Sequence, residues 1–353
     1  MSDLAAMLHQ RIARDGPIGV DVFMAEALGH AEFGYYMRRD PFGRQGDFVT
    51  APETSQMFGE LLGLWCIDAW QQAGAPKRAL LIELGPGRGT LMADAVRAMA
   101  VHPAALDAFA IHLVETSPHL RQIQRATLAD YKVDWHDELD DIDDDYPAFI
   151  IANEFFDALP VRQFVATASG WRERLITSDG EAFSPLLAEA ATVSGLPSLA
   201  PAGRVTELSP ARQAVMTSMA ERLVRDSGAG LVIDFAGSGD TLQAVREHRH
   251  AERFADPGDA DLAAAVNFDA LILTAESAGA PCYGPVDQGA FLKRLGIDTR
   301  AAALAQSADD EQRTQIDAGL ARLTGGDAMG RLYKVLALTG DRSVTPAGFE
   351  GAP

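Results

Sequence analysis

Short runs of apolar residues alternate with helix-length segments through the middle of the chain. Four runs have the length and composition of buried β-strands: Ala79–Leu84 (ALLIEL), residues 110–115 (AIHLVE), residues 131–135 (YKVDW) and Ala148–Asn153 (AFIIAN). Helix-length segments separate the first three runs, which is the pattern of parallel strands joined by crossover helices. We therefore predict an α/β fold built on a mostly parallel sheet.

Two later runs extend this sheet. Residues 230–235 (GLVIDF) predict a fifth strand, and residues 331–338 (RLYKVLAL) are expected to close the sheet. Between residues 160 and 203, interspersed Thr, Ser, Gly and Trp predict β-hairpins or an inserted lobe, and a helical pattern resumes near Pro210. The first 16 residues, MSDLAAMLHQRIARDG, predict an ordinary first helix.

Composition limits the class of partner and the compartment. The formal charge of −20 argues against nucleic acid, because binding to phosphates depends on clustered Lys and Arg, and it favours a basic protein or a small molecule. Cys66 and Cys282 are too few for a disulfide framework, and no Cys/His grouping has zinc-ligand spacing, so we expect no metal site and a reducing compartment. Without a signal-type leader or an apolar stretch of about 20 residues, we expect no membrane insertion and a cytoplasmic location.

A glycine cluster follows the first strand. Gly85, Gly87 and Gly89 occupy alternate positions in ELGPGRGTL, where a tight turn lets backbone approach a ligand at the start of a helix. A phosphate-binding P-loop requires a Lys after the last glycine, but Thr90 follows here, and the spacing departs from the G-x-G-x-x-G of dinucleotide turns. The pattern predicts a small-molecule site, with a purely structural turn as the alternative.

Acidic and amide side chains follow two other strands. Glu115 ends the second strand, where a carboxylate is suited to accept hydrogen bonds from two ribose hydroxyls. Asn153, Glu154 and Asp157 follow the fourth strand, and open α/β sheets bind ligands at this carboxyl edge. The alternatives are a simple charge at the strand end for Glu115 and capping of a turn before Pro160 for Asn153 and Asp157.

Four longer motifs carry a resemblance to a known family. They are FGYYMRRDPFGRQGDFVTAPETSQMFGELLGLW (residues 33–65), ELGPGRGTLMADAVR (83–97), HLVETSPHLRQIQ (112–124) and NEFFDALPVRQF (153–164). The E-x-G-x-G-x-G turn resembles the first motif of class I S-adenosylmethionine-dependent methyltransferases. The set as a whole resembles the MidA family, relatives of the mitochondrial complex I assembly-factor methyltransferase, over about residues 10 to 340.

The resemblance implies a fold, a cofactor and an activity. The fold would be a Rossmann-like, seven-stranded, mostly parallel sheet with helices on both faces, an N-terminal helical region and an inserted lobe. The cofactor would be S-adenosylmethionine, and the activity protein arginine methylation, with a respiratory-complex subunit carrying a basic segment as substrate. The expected domains are an N-terminal region (1–75), a core (76–160 and 228–340), a lobe (161–227) and a tail (341–353).

The site residues are expected in three groups. Before the first long helix, GDFVTAPE (residues 46–53) is expected to cover the cofactor, with a plain helix connection as the alternative. Glu154 and Asp157 are the candidates to clamp a guanidinium and take up its proton, since that cation has five donors and no acceptor. The expected cofactor-binding residues are Thr50, Pro52, Glu83, Gly85, Pro86, Gly87, Gly89, Glu115 and Asn153, and the expected substrate-binding residues are Gly46, Asp47, Phe48 and Glu53.

Two segments depart from the family pattern. The fifth strand ends in DFAGSGD where the family has D-Y-G, and DLAAAVNF stands where the family has D-L-T-x-H-V-D-F. Ala263, Ala265 and Asn267 thereby replace a Thr, a His and an Asp. If these side chains handle the substrate, the losses imply a different target or weaker activity. Two other functions stay open beside arginine methylation: a small-molecule methyltransferase on the same fold, or a non-catalytic assembly factor that keeps the cofactor site.

Overall fold

The computed structural model describes residues 2–38, 50–190, 193–197, 200–246, 248–341 and 345–350. The strands in chain order are β1 (Ile18–Gly19), β2 (Ala79–Leu84), β3 (Phe109–Val114), β4 (Val133–His136), β5 (Ala148–Asn153), β6 (Arg162–Thr167), β7 (Gly170–Ser178), β8 (Phe183–Ala190), β9 (Val205–Leu208), β10 (Gly228–Phe235), β11 (Gln243–Arg246), β12 (Arg249–Ala251), β13 (Asp261–Ala263), β14 (Cys282–Asp287) and β15 (Tyr333–Thr339).

The helices in chain order are α1 (Asp3–Asp15), α2 (Val20–Gly29), α3 (Tyr35–Arg38), α4 (Ala51–Thr54), α5 (Gln56–Gln72), α6 (Thr90–Met99), α7 (Pro103–Ala108), α8 (Pro118–Thr127), α9 (Pro210–Asp226), α10 (Phe268–Ser277), α11 (Gln288–Arg294), α12 (Ile297–Ala305), α13 (Asp310–Thr324) and α14 (Met329–Leu332). Residues Leu139–Asp141 form a short 3-10 helix.

The chain divides into two compact units, each assembled from several segments. The first contains residues up to 48, 157–214 and 237–267, and the second contains residues 49–156, 215–236 and 268 onward. The domain boundaries expected from the sequence stay a prediction.

The second unit is built on a seven-stranded sheet in the order β14-β15-β10-β5-β2-β3-β4. Neighbours from β10 to β4 are parallel, and β15 and β14 pair antiparallel at one edge. Both β2 and β5 are buried along their whole length, which is why their sequences are apolar runs without alternation. The predicted seven-stranded, mostly parallel sheet is confirmed.

The predicted strands shift slightly at their ends. The run at residues 131–135 forms a strand only from Val133 to His136, and the last strand begins at Tyr333. The antiparallel strand β14 was not predicted, because its sequence CYGPVD contains Gly and Pro, which are depleted in strands.

Two helices of the second unit touch through their backbones. A Cβ atom added at Gly59 of α5 would lie 2.8 Å from the carbonyl oxygen of Leu91 in α6, and one at Gly63 would lie 2.5 Å from that of Ala95. Any larger side chain at these positions would separate the helices. The close approach fixes α6, whose first residue follows the glycine cluster, against α5.

The first unit contains the N-terminal helices and two small antiparallel sheets. One sheet has the order β1-β7-β6-β9 with β8 on β7, and the other has the order β12-β11-β13. The apolar faces of α1 and α2 contribute Leu8, Ile12 and Phe23 to a core shared with Ile176 of β7. The predicted N-terminal helix and the predicted hairpins after residue 160 are therefore present.

Candidate active site

The glycine cluster forms a left-handed turn between β2 and α6. Gly85, Gly87 and Gly89 have φ angles of 62°, 54° and 79°, which residues with a side chain rarely adopt. Gly89 is the N-cap of α6, where the first backbone N–H groups of a helix have no partner within the helix. The turn therefore presents backbone donors where a ligand can reach them.

Glycine is also required at the first position by packing. A Cβ atom at Gly85 would lie 2.7 Å from Cδ2 of Phe155, which follows β5. The amide of Gly85 donates to the carbonyl oxygen of Val114 at 3.0 Å, and that of Gly89 donates to the oxygen of Pro86 at 2.8 Å. The turn is thus held closed by its own backbone and by Phe155.

Two buried side-chain oxygens beside this turn accept no hydrogen bond from the described residues. Glu83 and Asn153 are 3% and 8% exposed, and neither Glu83 Oε2 nor Asn153 Oδ1 has a hydrogen-bond partner within the described part of the chain. Glu83 pairs in register with Ile151, two residues before Asn153, so both side chains lie on the same face of the sheet. Buried polar atoms are ordinarily satisfied, and a ligand that donates hydrogen bonds would satisfy these two.

Burial favours the neutral form of the Glu83 carboxyl group. Burial raises its pKa from 4.5 to about 8, and a hydrogen bond from the backbone of Met92 opposes this shift. A cationic group beside Oε2 would favour the ionised form and lower the pKa again. The site can therefore receive a positively charged ligand group with release of a proton.

Glu115 lies at the carboxyl end of β3 with its carboxylate held in place. Oε1 accepts from the backbone N–H of Ser117 at 2.8 Å, and Oε2 accepts from Nε2 of Gln124 at 3.2 Å. Burial raises the pKa of Glu115, while these hydrogen bonds and one from the backbone of Thr116 lower it. The position suits the ribose contact expected from the sequence, which stays a prediction.

The short helix α4 connects to the glycine turn through Glu53. Oε1 of Glu53 accepts from the hydroxyl of Thr90 at 2.5 Å, and Oε2 lies 3.4 Å from Nη1 of Arg88. Thr50 is the buried N-cap of α4, and Pro52 lies in its first turn. Glu53 therefore lies beside the glycine turn, and Thr50 and Pro52 belong to the same short helix or its cap. Gly46, Asp47 and Phe48 fall outside the residues that the structure describes.

Glu154 has an unusual backbone conformation and several donors. Its φ angle is 49°, a left-handed value that costs about 1–2 kcal/mol in a residue other than glycine. Oε1 accepts from the backbone N–H of Ala51 at 2.8 Å and from Nδ2 of Asn153 at 3.2 Å, and Oε2 accepts from the hydroxyl of Tyr333 at 3.3 Å. Such local strain persists only where the surroundings fix the conformation, as these donors do.

Asp157 belongs to the first unit, and the charged and polar groups near it include Arg212 and Tyr36. Burial raises its pKa to about 6, against the opposing charge of Arg212. The hydroxyl of Tyr36 donates to Asp261 at 2.8 Å, and burial together with the charges of Asp261 and Asp157 holds the pKa of Tyr36 well above its usual value. The structure therefore groups Asp157 with Tyr36 and Asp261.

The segment that departs from the family pattern is held by its backbone. Arg212 donates from Nη1 to the carbonyl oxygen of Ala265 at 2.9 Å and from Nη2 to that of Ala264 at 2.6 Å. The amide of Ala264 in turn donates to the carbonyl oxygen of Asp157 at 3.0 Å. These contacts do not depend on the side chains at residues 263 and 265, so the alanines leave this arrangement in place.

Sequence reasoning missed three residues at the site: two that contact expected residues directly, and Tyr36, which lies close enough to Asp157 for that carboxylate to raise its pKa. Gln124 contacts Glu115, Tyr333 contacts Glu154, and Tyr36 contacts Asp261. Gln124 lies within the quoted motif HLVETSPHLRQIQ and Tyr36 within FGYYMRR, so motif membership was an available signal. Tyr333 had no comparable signal, because its strand is far from Glu154 in sequence.

The arrangement as a whole fits S-adenosylmethionine. The left-handed turn offers backbone donors, Glu83 and Asn153 offer two buried unpaired acceptors for an ammonium group, and Glu115 offers a carboxylate for a ribose. Bound S-adenosylmethionine supplies a methyl group on a positively charged sulfur. The chain's own contribution is to bind and orient that donor and to exclude water.

Comparison with known proteins gives the same result. A family model described as a putative S-adenosyl-L-methionine-dependent methyltransferase matches residues 61–286. The chain is 36% identical over 95% of its length to the mitochondrial protein arginine methyltransferase NDUFAF7 homolog of Drosophila melanogaster, covering 84% of that protein. It is 34% identical over 94% of its length to the mitochondrial protein arginine methyltransferase NDUFAF7 of Homo sapiens, covering 82% of that protein.

A solved structure extends the similarity to the fold. A COG1565 superfamily member and likely methyl transferase from Burkholderia thailandensis, bound to S-adenosyl-homocysteine, superposes with a TM-score of 0.84 at 30% identity, covering 99% of this chain and 93% of that one. The class I methyltransferase fold expected from the motifs is confirmed.

One expectation from the sequence is wrong. A cytoplasmic location is contradicted by the relatives, which are named as mitochondrial proteins. A low number of cysteines is compatible with every reducing compartment, so it could not separate one compartment from another. Among the helices that the structure describes, none combines the length and the apolar character needed to cross a bilayer.

The family resemblance carried by the four motifs is confirmed by sequence similarity over nearly the whole chain and by a solved structure that contains the demethylated cofactor. The chain belongs to the family of S-adenosylmethionine-dependent methyltransferases and uses S-adenosylmethionine as its cofactor.

Proposed function

We propose that this enzyme transfers a methyl group from S-adenosylmethionine to a guanidinium nitrogen of an arginine in a protein. The observation that carries the proposal is 36% identity over 95% of the chain to a protein named as a protein arginine methyltransferase. The similarity extends well beyond the glycine turn, which many methyltransferases would share, and it includes the segments that carry Glu154 and Asp157.

The chemistry requires a carboxylate at the acceptor. A guanidinium is charged at all physiological pH values, so its nitrogen is a poor nucleophile until a proton can leave. As the nitrogen forms its bond to the methyl carbon, the carbon–sulfur bond breaks with both electrons going to sulfur, and one proton of the guanidinium passes to a carboxylate. We assign the clamping and proton-accepting roles to Glu154 and Asp157.

Glu154 would have to exchange a partner to hold a guanidinium with both oxygens. Its carboxylate already accepts hydrogen bonds from Ala51, Asn153 and Tyr333. The bond from Tyr333 is the longest of the three at 3.3 Å, and the charge-assisted bond from a guanidinium is stronger than one from a neutral hydroxyl. We therefore expect an incoming arginine to displace the Tyr333 hydroxyl and to leave the Ala51 contact in place.

The substrate is expected to be basic around its arginine. A formal charge of −20 favours association with a segment rich in Lys and Arg, because complementary charge accelerates encounter. The family resemblance implies a respiratory-complex subunit, and we propose such a subunit as the acceptor, with complex I assembly as the process served.

The proposal is tested by following the methyl group. The purified protein and isotope-labelled S-adenosylmethionine are added to a lysate of cells that lack its gene, and the labelled species are identified by mass spectrometry. Label on an arginine of a protein supports the proposal. Label confined to small molecules would show a small-molecule methyltransferase, and no label despite cofactor binding would indicate a non-catalytic assembly factor.

A further inference from the structure

Gln124 is a fully buried amide that connects three elements of the second unit. It lies on α8 and is 0% exposed. Its Nε2 donates to the carbonyl oxygen of Gly87 at 2.8 Å and to Oε2 of Glu115 at 3.2 Å, and its Oε1 accepts from Nε1 of Trp135 in β4 at 2.9 Å. The side chain thus reaches the glycine turn and the end of β3 at once.

The orientation of this amide is fixed by its partners. The indole nitrogen of Trp135 can only donate, so the oxygen of Gln124 must face it. The nitrogen of Gln124 then faces the carbonyl of Gly87 and the carboxylate of Glu115, both of which can only accept when Glu115 is ionised. No other orientation satisfies all three groups in a buried place.

The side chain and the backbone of Glu115 are both held by residues of α8 and its N-cap. Gln124 holds Oε2, the backbone N–H of Ser117 holds Oε1, and Nε of Arg121 donates to the backbone oxygen of Glu115 at 2.6 Å. Rotation of the carboxylate would break hydrogen bonds at both oxygens. The lone pairs of the carboxylate that these hydrogen bonds do not use therefore point in a fixed direction.

We propose that Gln124 is a positioning residue that sets the Glu115 carboxylate for the ribose hydroxyls of S-adenosylmethionine and fixes the carbonyl of Gly87 in the glycine turn. The inference rests on the cofactor use established above and on the ribose-binding role proposed for Glu115. Selectivity for an intact ribose then depends on Gln124 through its hydrogen bonds to Glu115 and Gly87.

The test compares two ligands on the full-length protein. Calorimetry gives the Kd of S-adenosylhomocysteine and of its 2′,3′-dideoxy analogue. The Kd of the dideoxy analogue divided by that of S-adenosylhomocysteine measures selectivity for the ribose hydroxyls. We expect Gln124→Leu to reduce this ratio at least tenfold by weakening the hydroxylated ligand, with a much smaller effect on the dideoxy analogue. Glu115→Gln should reduce the ratio similarly, and Gln122→Leu, an exposed position on the same helix, should leave it unchanged.

A conservative variant separates positioning from folding. Gln124→Glu keeps the shape, but at pH 8 it places a second carboxylate beside Glu115, and at pH 6 partial protonation restores a donor. We expect the ratio to be low at pH 8 and to recover towards the wild-type ratio at pH 6.

Two results would overturn the inference. If Gln124→Leu weakens the binding of both ligands equally, the role of Gln124 is merely structural. If Glu115→Gln leaves the ratio unchanged, Glu115 does not bind the ribose hydroxyls. Because neither measurement needs a methyl acceptor, failure of arginine methylation would leave this test intact.

Discussion

Gly85 faces the ring of Phe155 so closely that even a methyl group does not fit between them: its Cβ would lie 2.7 Å from Cδ2 of the ring. The φ angle of Gly85 is 62°, so a substitution meets both a steric and a conformational penalty. Packing and backbone conformation therefore require a glycine at position 85 whether or not a cofactor is bound.

We expect Gly85→Ala to lower the free energy of unfolding by at least about 2 kcal/mol, combining about 1–2 kcal/mol of backbone strain with the overpacking against Phe155. Urea unfolding measures this change. Gly74→Ala is the matched control, because Gly74 has a φ of 86° and no atom within 4 Å of its added Cβ. Equal losses in the two variants would show that Phe155 moves aside without cost.

Glu83 should make stability depend on pH. Because its pKa rises from 4.5 to about 8 on folding, the folded protein binds an extra proton between these values, and stability falls with increasing pH across that window by up to about 1.4 kcal/mol per unit. Glu83→Gln removes this dependence without changing shape. The free energy of unfolding of the variant, measured from pH 4.5 to 8.5, should increase relative to that of the wild type as the pH rises. The same pH dependence in both proteins would contradict the raised pKa of Glu83.

Much of the second unit could be predicted because its strands are buried on both faces. Apolar runs such as Ala79–Leu84 carry that signal in one short segment, and the glycines mark the turn that follows. The contact of Tyr333 with Glu154 could not be predicted, since it joins residues distant in sequence. Gln124 shares a motif with Glu115, but an amide side chain alone does not indicate which groups it contacts. The sequence predicts that Glu154 binds a substrate guanidinium. In the structure its carboxylate also accepts hydrogen bonds from donors of its own chain.

Glu154→Gln should separate acceptor chemistry from cofactor binding. The variant keeps an oxygen for the N–H of Ala51 but loses the charge that a guanidinium requires, so methyl transfer to an arginine substrate should fall at least about tenfold. The affinity for S-adenosylhomocysteine should barely change. Calorimetry and a single-turnover transfer assay measure both quantities on one preparation.

Tyr333→Phe is the companion variant, since it removes the hydroxyl and leaves the carboxylate. We expect its transfer rate to stay at or above that of the wild type. If Tyr333→Phe slows transfer as much as Glu154→Gln does, the hydroxyl itself is needed. If Glu154→Gln loses cofactor binding, Glu154 binds the cofactor and not the arginine.

Asp157 should contribute an acidic limb to the pH profile. With a pKa of about 6, its carboxyl is neutral below that pH and can neither pair with a guanidinium nor accept its proton. Transfer at subsaturating substrate should therefore rise as the pH increases from 5 to 7, with a midpoint near 6. Asp157→Asn should be slow throughout and lack this midpoint, and a midpoint that persists in the variant would belong to another group.

The backbone contact of α5 with α6 at Gly59 and Gly63 bears on how binding could be transmitted. Because the backbones of the two helices lie so close at these glycines, a displacement of one helix would press directly on the other. A shift of the glycine turn on cofactor binding would thus pass from α6 to α5 and on to α4, which immediately precedes α5 and carries Glu53. The glycines at positions 59 and 63 would in this way couple α4, which carries Glu53, to the turn expected to hold the cofactor.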